Sequence, residues 1–600
     1  MTRQAPRPDK PLTAEQVVAQ NQRERAARQA TRRRLSPSSP KKGKNEQARQ
    51  SSGVSASGGP TSAETSSTKA GDDSDGEGSG SEGEDGYTSS TSNSSVDQRT
   101  PAHVRQDVLS EVNGSSGPTD AHAQNGSHPT GDPNGSSSSN GVPDSLKVES
   151  HENIIYLAGN SLGLQSRSSY QLVNEELIMW QTKAVTGWFN SHHDRPWKSY
   201  AEDITAMMAG LVGANKTEVG IMGTLTANLH LLMCSFYRPT KERYKIMFES
   251  KAFPSDNYAF ASQAEMHGYD KKDALVRVAP RKGEYCLRIE DILDTIEKEG
   301  DQVAVVFFSG VNYFTGQVFD MQRITEAAHK KGCLVGWDLA HGVGNIPVDL
   351  HKWDVDFAVW CTYKYLNSGP GGIASFFVHE KHSDRPRLAG WWGNNLTTRF
   401  NMAEDFDPAP GAAGFVISTP SILGLASLFG ALECYLQCGK EEGSQQEAPA
   451  STRTALAKLR KKSLLLTAYL NCLFRASKYY VPLSDVDAFE SNVGDSWQDI
   501  SAKQFKPGFT ILTPEKSDER GCQLSVLLLP RNIGMLKPTN KNLEDAGVYG
   551  DEREPDVIRF SPVPLYNTFK ECYMTVKTFE WALKAAAVQL QGKARKRSRA

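Results

Sequence analysis

The chain reads as an α/β protein: a large domain with a mostly parallel sheet between helices, then a smaller α+β domain at the C-terminus. Three observations predict this. Strand-like and helix-like segments alternate from about Tyr244 to Val378, the pattern of a sheet with helices on both faces. Val303–Phe308 is a continuous apolar run, as a strand covered on both sides requires. Past about Thr419 long helical stretches give way to short strands separated by polar segments.

Taken in order, Asn153 to Leu157 is a short apolar strand that ends in the turn Ala158–Gly163. Ser168 to Gln181 is helical, with Leu172, Leu177 and Ile178 spaced for one face. A loop with His192, His193 and Arg195–Pro196–Trp197 leads to a second helix, Ala201 to Leu211. A third starts near Thr224–Leu225–Thr226, and its nearly all-apolar body marks a buried helix. Strands are expected at Tyr244–Glu249, Val303–Phe308, Cys333–Asp338, Phe357–Cys361 and Ile373–Val378. Asp320 caps a helix from Met321 to Lys331, which Gly332 stops. The C-terminal region offers helices at Ile422–Leu436 and Leu456–Phe474 and strands at Gln523–Leu529 and Val557–Phe560. Two polar insertions are expected, near 441–452 and 532–554. The boundaries drawn are 1–145 for an N-terminal extension, 146–420 for the large domain with the first segment of the small lobe, 421–592 for the small domain, and 593–600 for a basic tail.

Composition narrows the function. The first quarter of the 600 residues is rich in Ser, Gly, Thr and Asn, with an acidic run from Asp72 to Glu77. Nearly free of large apolar residues, it cannot bury enough surface to offset chain entropy and reads as disordered. Net charge is −2, so the folded part carries no general signal for nucleic acid. The basic head, Arg23 to Lys44, reads as a solvated tail, with phosphate contact or an import signal as the alternatives. Nine cysteines lie scattered without a Cys-x-x-Cys pair, which indicates neither a zinc site nor a disulfide framework. No apolar run is expected to span a bilayer, and no secretory signal opens the chain. A cytosolic location is expected, with a transit peptide as the second reading.

The chemistry gathers at strand ends. Asp338 closes one strand, Lys364 follows another, and Thr224 to Asn228 opens a buried helix. An uncharged, aromatic setting, Trp360 to Tyr365, suits a lysine amine that must be partly desolvated to form a Schiff base. A carboxylate beside a pyridine nitrogen keeps the ring protonated. A unit charge pair at ~4 Å gains roughly 4 kcal/mol at an effective dielectric of about 20, enough to hold that proton. A helix start with small donors suits a phosphate: Leu225 and Thr226 lie there, and Ser309 and Tyr363 are further donors. Each feature alone is commonly a cap, a turn or a surface charge. Together, in this order, they indicate a pyridoxal-5′-phosphate (PLP) enzyme of fold type I.

At this point the chain resembles the kynureninase family. The resemblance rests on Tyr156–Leu164, Arg195–Pro196–Trp197, Leu225–His230, Lys251–Asp256, Phe308–Gly310, Trp337–His341, Tyr363–Asn367, Gly390–Gly393 and Arg559–Tyr566. It runs from about Asn153 to about Leu590 in family order. It implies hydrolysis of L-kynurenine or 3-hydroxy-L-kynurenine between Cβ and Cγ, giving L-alanine and anthranilate or 3-hydroxyanthranilate. It further implies Lys364 as the Schiff-base lysine, Asp338 as the partner of the pyridine nitrogen, and His341 close to the cofactor, supporting Asp338 or the ring. Leu225 and Thr226 would hold the phosphate, and Phe253 would stack on the ring with Ser255 and Asp256 nearby. Ser309 and Tyr363 would donate to the phosphate or a cofactor oxygen. Trp391 and Thr419 match positions that reach the cofactor from a second subunit. Arg559 would grip the substrate carboxylate, with Asn160 and Ser161 also at the substrate. Tyr363, next to the lysine, is the candidate acid for the departing Cβ. The resemblance also implies a homodimer and a cytosolic place in tryptophan catabolism toward NAD.

Two departures touch substrate choice. Thr419 stands where the family commonly has Asn, and Asn190 occupies a register where some members have His, with His192 and His193 shifted. Two other readings fit less of the chain. A cysteine desulfurase needs a mobile cysteine and usually a His before the lysine, where this chain has Tyr363. A catalytically silent scaffold would have lost Lys364, Asp338 or Arg559.

Overall fold

The computed structural model describes residues 154–191, 193–439, 448–491 and 505–597. The N-terminal extension, His192 and the last three residues of the basic tail lie outside the described residues. β1 (Ile155–Tyr156) opens the described chain. A seven-stranded sheet follows: β2 (Val219–Ile221), β3 (Lys245–Glu249), β4 (Leu275–Val278), β5 (Val303–Ser309), β6 (Leu334–Asp338), β7 (Phe357–Cys361) and β8 (Ala374–Val378). Its order is β2-β8-β7-β6-β5-β3-β4. Strands β4, β3, β5, β6 and β7 run parallel, while β8 is antiparallel to β7 and to β2.

Burial explains the strand sequences. All five residues of β7 and of β8 are buried, as is β5 up to Phe308. Apolar layers cover both faces. One contains Trp337, Trp360 and Phe377; the other contains Phe248, Phe307, Phe357 and Phe376. The parallel strands therefore end along one rim, and Glu249, Ser309, Asp338 and Cys361 are the last residues of β3, β5, β6 and β7. Ligands of open α/β sheets bind at such a rim.

The C-terminal sheet has the order β12-β13-β10-β9, with β9 (Gly508–Ile511), β10 (Leu524–Leu529), β12 (Asp551–Arg553) and β13 (Val557–Phe560) all antiparallel. β11 (Val548–Tyr549) pairs in parallel with β1. Beyond β1, Ala158 bridges to Ser561, so the first described segment is stitched into the last. Gly163 then donates its N–H to Tyr363 O at 2.8 Å. A Cβ on Gly163 would stand 2.2 Å from Lys364 O, so only glycine fits.

Several expectations need correction. In the Arg167–Lys183 helix the buried stripe is Ser169, Leu172, Glu176 and Met179, whereas Leu177 and Ile178 are exposed. The buried Glu176 reads as a surface charge in sequence, but Trp197 Nε1 donates to it at 2.7 Å. The insertion expected at 441–452 ends inside a helix, Ala448–Arg475, where Ser451 and Thr452 are buried; residues 441–447 lie outside the described residues. The one expected at 532–554 is built into the fold as the Leu536–Asp545 helix, β11 and β12. The tail drawn at 593 begins within the Phe569–Arg597 helix.

A domain boundary at 420/421 marks no break in packing. The Ile422–Gly439 helix puts Leu425, Leu428, Leu432 and Tyr435 into the core of the large sheet. The Ala448–Arg475 helix gives Leu456 and Leu459 to that core and Leu466, Leu470 and Phe474 to the C-terminal one. By length and composition the Ile422–Gly439 helix is also apolar enough to cross a membrane, contrary to the expectation that no run is. Its burial against the first core accounts for that composition.

Candidate active site

Thirteen of the expected site residues line one cavity of ≈ 170 Å³ at the rim: Asn160, Ser161, Leu225, Thr226, Phe253, Ser255, Asp256, Ser309, Asp338, His341, Tyr363, Lys364 and Arg559. The register that aligns Ser309 with Asp338, and Asp338 with Val359, sets three strand ends side by side. Lys364 sits in the turn after β7, whose far side is held by Asn367 at φ 59°. Asn367 donates its N–H to Lys364 O (3.1 Å) and Nδ2 to Leu164 O (2.8 Å). Lys364 Nζ lies 6.0 Å from the centre of the Phe253 ring.

Two helix N-termini converge on the cavity. Thr224 precedes the Leu225–Phe236 helix and Phe253 precedes the Pro254–Met266 helix, and neither start has a side-chain cap. The first helix leaves the N–H groups of Leu225 and Thr226 free of intrahelical partners, and the second, which opens with a proline and bonds Asp256 N–H to Phe253 O, leaves that of Ser255, which together make a ready anion site. Thr226 Oγ1 and Ser255 Oγ meet at 2.6 Å across the two starts. His341 is buried with Nδ1 unpartnered, and burial, Lys364 and Arg559 hold its pKa well below the ordinary value. A neutral imidazole with a free nitrogen, two uncapped helix starts, a lysine and a buried carboxylate fit PLP.

The carboxyls form a chain. Asp338 accepts from Ala340 N–H at 2.7 Å. Burial raises the Asp338 pKa, and Lys364 opposes it. Asp256 is raised well above its ordinary value, first by burial and then by Asp338. We read the pair as a protonated Asp256 beside an ionised Asp338. Glu249, which the sequence reading took only as the end of a strand, joins them: Ser309 donates its hydroxyl to it, and burial lifts its pKa to about 7. The Ser309 hydroxyl is thus committed to Glu249. Tyr363, half-buried, has its pKa raised by burial and then by Cys361, and stays a phenol.

At the other wall Arg559 is fully buried. It donates to Tyr313 O (2.5 Å) and pairs with Asp551. Turned so that its oxygen faces the guanidinium, the Asn160 amide accepts from Arg559 Nε at 3.1 Å and donates to Ser561 at 3.2 Å. Burial lowers the Arg559 pKa to about 10, still cationic near neutral pH. Cys361, Val311, Tyr313, Ala340 and Arg553 also line the cavity and were not anticipated. Arg553 sits in the stretch read as an insertion. Trp391 and Thr419 do not line this cavity; Trp391 is 46 % exposed, and Thr419 borders a different hollow with Thr224 and Ser418.

Comparison with known proteins agrees with this geometry. Residues 495–579 match the kynureninase C-terminal domain and residues 194–472 match aminotransferase class-V. A kynureninase of Yarrowia lipolytica is 45 % identical over 72 % of this chain and 94 % of its own length. One from Flavobacterium psychrophilum is 47 % identical over 70 % and 89 %, and one from Rattus norvegicus 45 % over 72 % and 84 %. In fold, the chain is similar to the cystine C–S lyase C-DES, solved with cysteine persulfide, at TM-score 0.54 and 14 % identity, over 72 % of this chain and 97 % of that one. The low identity to that lyase carries the fold alone, whereas matches at 45–47 % identity over most of each relative carry more: the chain belongs to the kynureninase family of PLP-dependent, class V aminotransferase-like enzymes.

Proposed function

We propose that this chain hydrolyses L-kynurenine, 3-hydroxy-L-kynurenine or both, at the Cβ–Cγ bond, releasing L-alanine and the corresponding anthranilate. The observation that carries the reading is the meeting of Lys364, Asp338, Arg559 and two uncapped helix starts in one cavity. Lys364 would carry the cofactor aldehyde, Asp338 would face the ring nitrogen, and Leu225, Thr226 and Ser255 at the two helix starts would take the phosphate. When bound, PLP supplies the electron sink that lets substrate bonds at Cα and Cβ break heterolytically.

The chain's own groups do the rest. Arg559 holds the substrate α-carboxylate by charge-assisted hydrogen bonds, with Asn160 keeping the fork oriented. Lys364 would take the Cα proton and give it back before the product leaves. Water adds to the aryl ketone carbon, the Cβ–Cγ pair of electrons stays with Cβ as the hydrate becomes the carboxyl group, and the Tyr363 phenol gives Cβ its proton and is restored by the proton that the hydrate releases. A phenol kept protonated by burial is suited to this step. The His341 imidazole, neutral and beside Lys364, adds no charge that would compete with it.

The active unit is a homodimer in this reading, with Trp391 and Thr419 serving the partner's cavity. Support comes from their position outside their own cavity, and from the exposed apolar side chains Tyr170, Leu177, Ile178 and Trp180 on one helix. A cytosolic role in tryptophan catabolism toward NAD is consistent with nine cysteines that are all free. The test is direct. The purified protein should turn kynurenine into fluorescent anthranilate, and borohydride reduction should fix the cofactor to the peptide holding Lys364. Comparing kcat/KM for the two substrates settles preference. A label on another lysine, or no release of either anthranilate, refutes the reading.

A further inference from the structure

Arg559, at the far wall of the cavity, has no open fork. A guanidinium carries five N–H donors, and a two-point grip on a carboxylate takes a neighbouring pair of them. On Arg559 the Asn160 oxygen accepts from both Nε (3.1 Å) and Nη2 (3.3 Å). Asp551 also accepts from Nη2, and Tyr313 O accepts from Nη1. The Nε–Nη2 edge is therefore full, and Asp551 blocks the Nη1–Nη2 edge. An incoming α-carboxylate must displace one of these partners to be held at two points.

The partners differ in what they would lose. Asn160 is fully buried, and Tyr313 offers a main-chain carbonyl; a buried polar group left unpaired bears its full desolvation cost. Asp551 has a second cation at hand. Arg553 Nη2 lies 3.1 Å from Oδ2 of Asp551, the same oxygen that Arg559 holds. Arg553 Nη1 donates to Glu552 O at 2.8 Å. Strand geometry produces this arrangement. Asp551 stands opposite Arg559 in the β12–β13 register, and Arg553, two residues on, projects from the same side of β12. Arg553 lines the cavity, and its charge bears on His341. Two guanidiniums share one carboxylate here, so the trio retains one positive charge for an arriving anion.

We propose that Asp551 is an exchangeable counter-ion: the substrate α-carboxylate replaces it on Arg559, and Arg553 retains it. Arg553 is then a positioning residue, acting on the substrate through Asp551 and not by contact. Asn160 and Tyr313 keep their bonds to Arg559 throughout, so the guanidinium stays oriented while its Nη1–Nη2 edge opens. The inference rests on the reading above that Arg559 receives the α-carboxylate.

The test uses the full-length holoenzyme and L-alanine, which bears the substrate's amine and α-carboxylate; its binding is read from the visible band of the bound cofactor. Arg553→Gln leaves Asp551 with Arg559 alone. The alanine dissociation constant and the KM for kynurenine should then rise about 10–100-fold, with kcat nearly unchanged. Adding Asp551→Asn removes the anion that needed a second partner and should recover most of the lost affinity, a coupling that a double-mutant cycle measures. Melting temperatures check that both variants are folded. Should Arg553→Gln fail to fold, crystals of the unaltered holoenzyme soaked with L-alanine provide a second measurement: the carboxylate on Arg559 and Asp551 on Arg553 alone are expected. Unchanged affinity in Arg553→Gln, no recovery in the double variant, or Asp551 still bonded to Arg559 in the alanine complex overturns the proposal. Alanine binding needs no hydrolysis, so a failure to release anthranilate refutes the proposed activity and leaves this result standing.

Discussion

Burial decides the charge of the carboxyls around Lys364, and Glu249 gives the clearest consequence. Its pKa moves from 4.5 to about 7 in the folded chain. Between those values the unfolded chain has lost the proton that the native chain keeps, so stability falls with rising pH, by about 1.4 kcal/mol per unit from this group alone. The contribution is complete below 4.5 and lost above about 7. Glu249→Gln should flatten that part of the stability profile, measured by urea unfolding across the window, and leave the variant more stable than the parent at neutral pH. Tyr363→Phe tests the proton donor: kcat should drop by about 10²–10⁴-fold with little change in melting temperature. Unimpaired turnover would remove Tyr363 from that role. Lys364 and Asp338 were legible because each follows a strand of recognisable sequence. Glu249, Tyr313 and Arg553 were not, because their approach depends on the sheet order β6-β5-β3 and on β12, which no local pattern encodes.

Among elements, the loop Ala158–Leu164 is pinned between the end of β13 and the lysine turn. Gly163→Ala would press a Cβ to 2.2 Å from Lys364 O, so the loop or the lysine must move. A loss of about 1–3 kcal/mol is expected, with weaker retention of PLP read by absorbance after gel filtration; unchanged retention and stability would show that the loop yields freely. Strands β5, β7 and β8 were readable from continuous apolar runs. The Arg167–Lys183 face was misread because its inward stripe contains Glu176, and its outward stripe contains Leu177 and Ile178. Residues 532–554 were misread for a similar reason. β12 carries Asp551 and Arg553, polar residues that serve the cavity wall, so its composition imitates a surface loop.

At the level of the whole molecule, the homodimer reading makes a quantitative forecast. If Trp391 serves the partner's cavity, mixing Lys364→Ala with Trp391→Ala, after reversible dissociation, creates dimers with one intact site each. Activity should return to about a quarter of the unaltered enzyme for random reassortment of two subunits. No recovery from two inactive parents would place Trp391 in its own subunit's site. A different consequence follows from the Ala448–Arg475 helix, which serves both apolar cores. Its end places Phe474 against Phe509, Phe560 and Phe579, while Leu456 and Leu459 are sunk in the other core. A rod shared in this way links the melting of the two regions. Calorimetry should record a single endotherm, and a fragment cut to begin after Arg475 should emerge as an aggregate, because three phenylalanines lose the ring that roofs them.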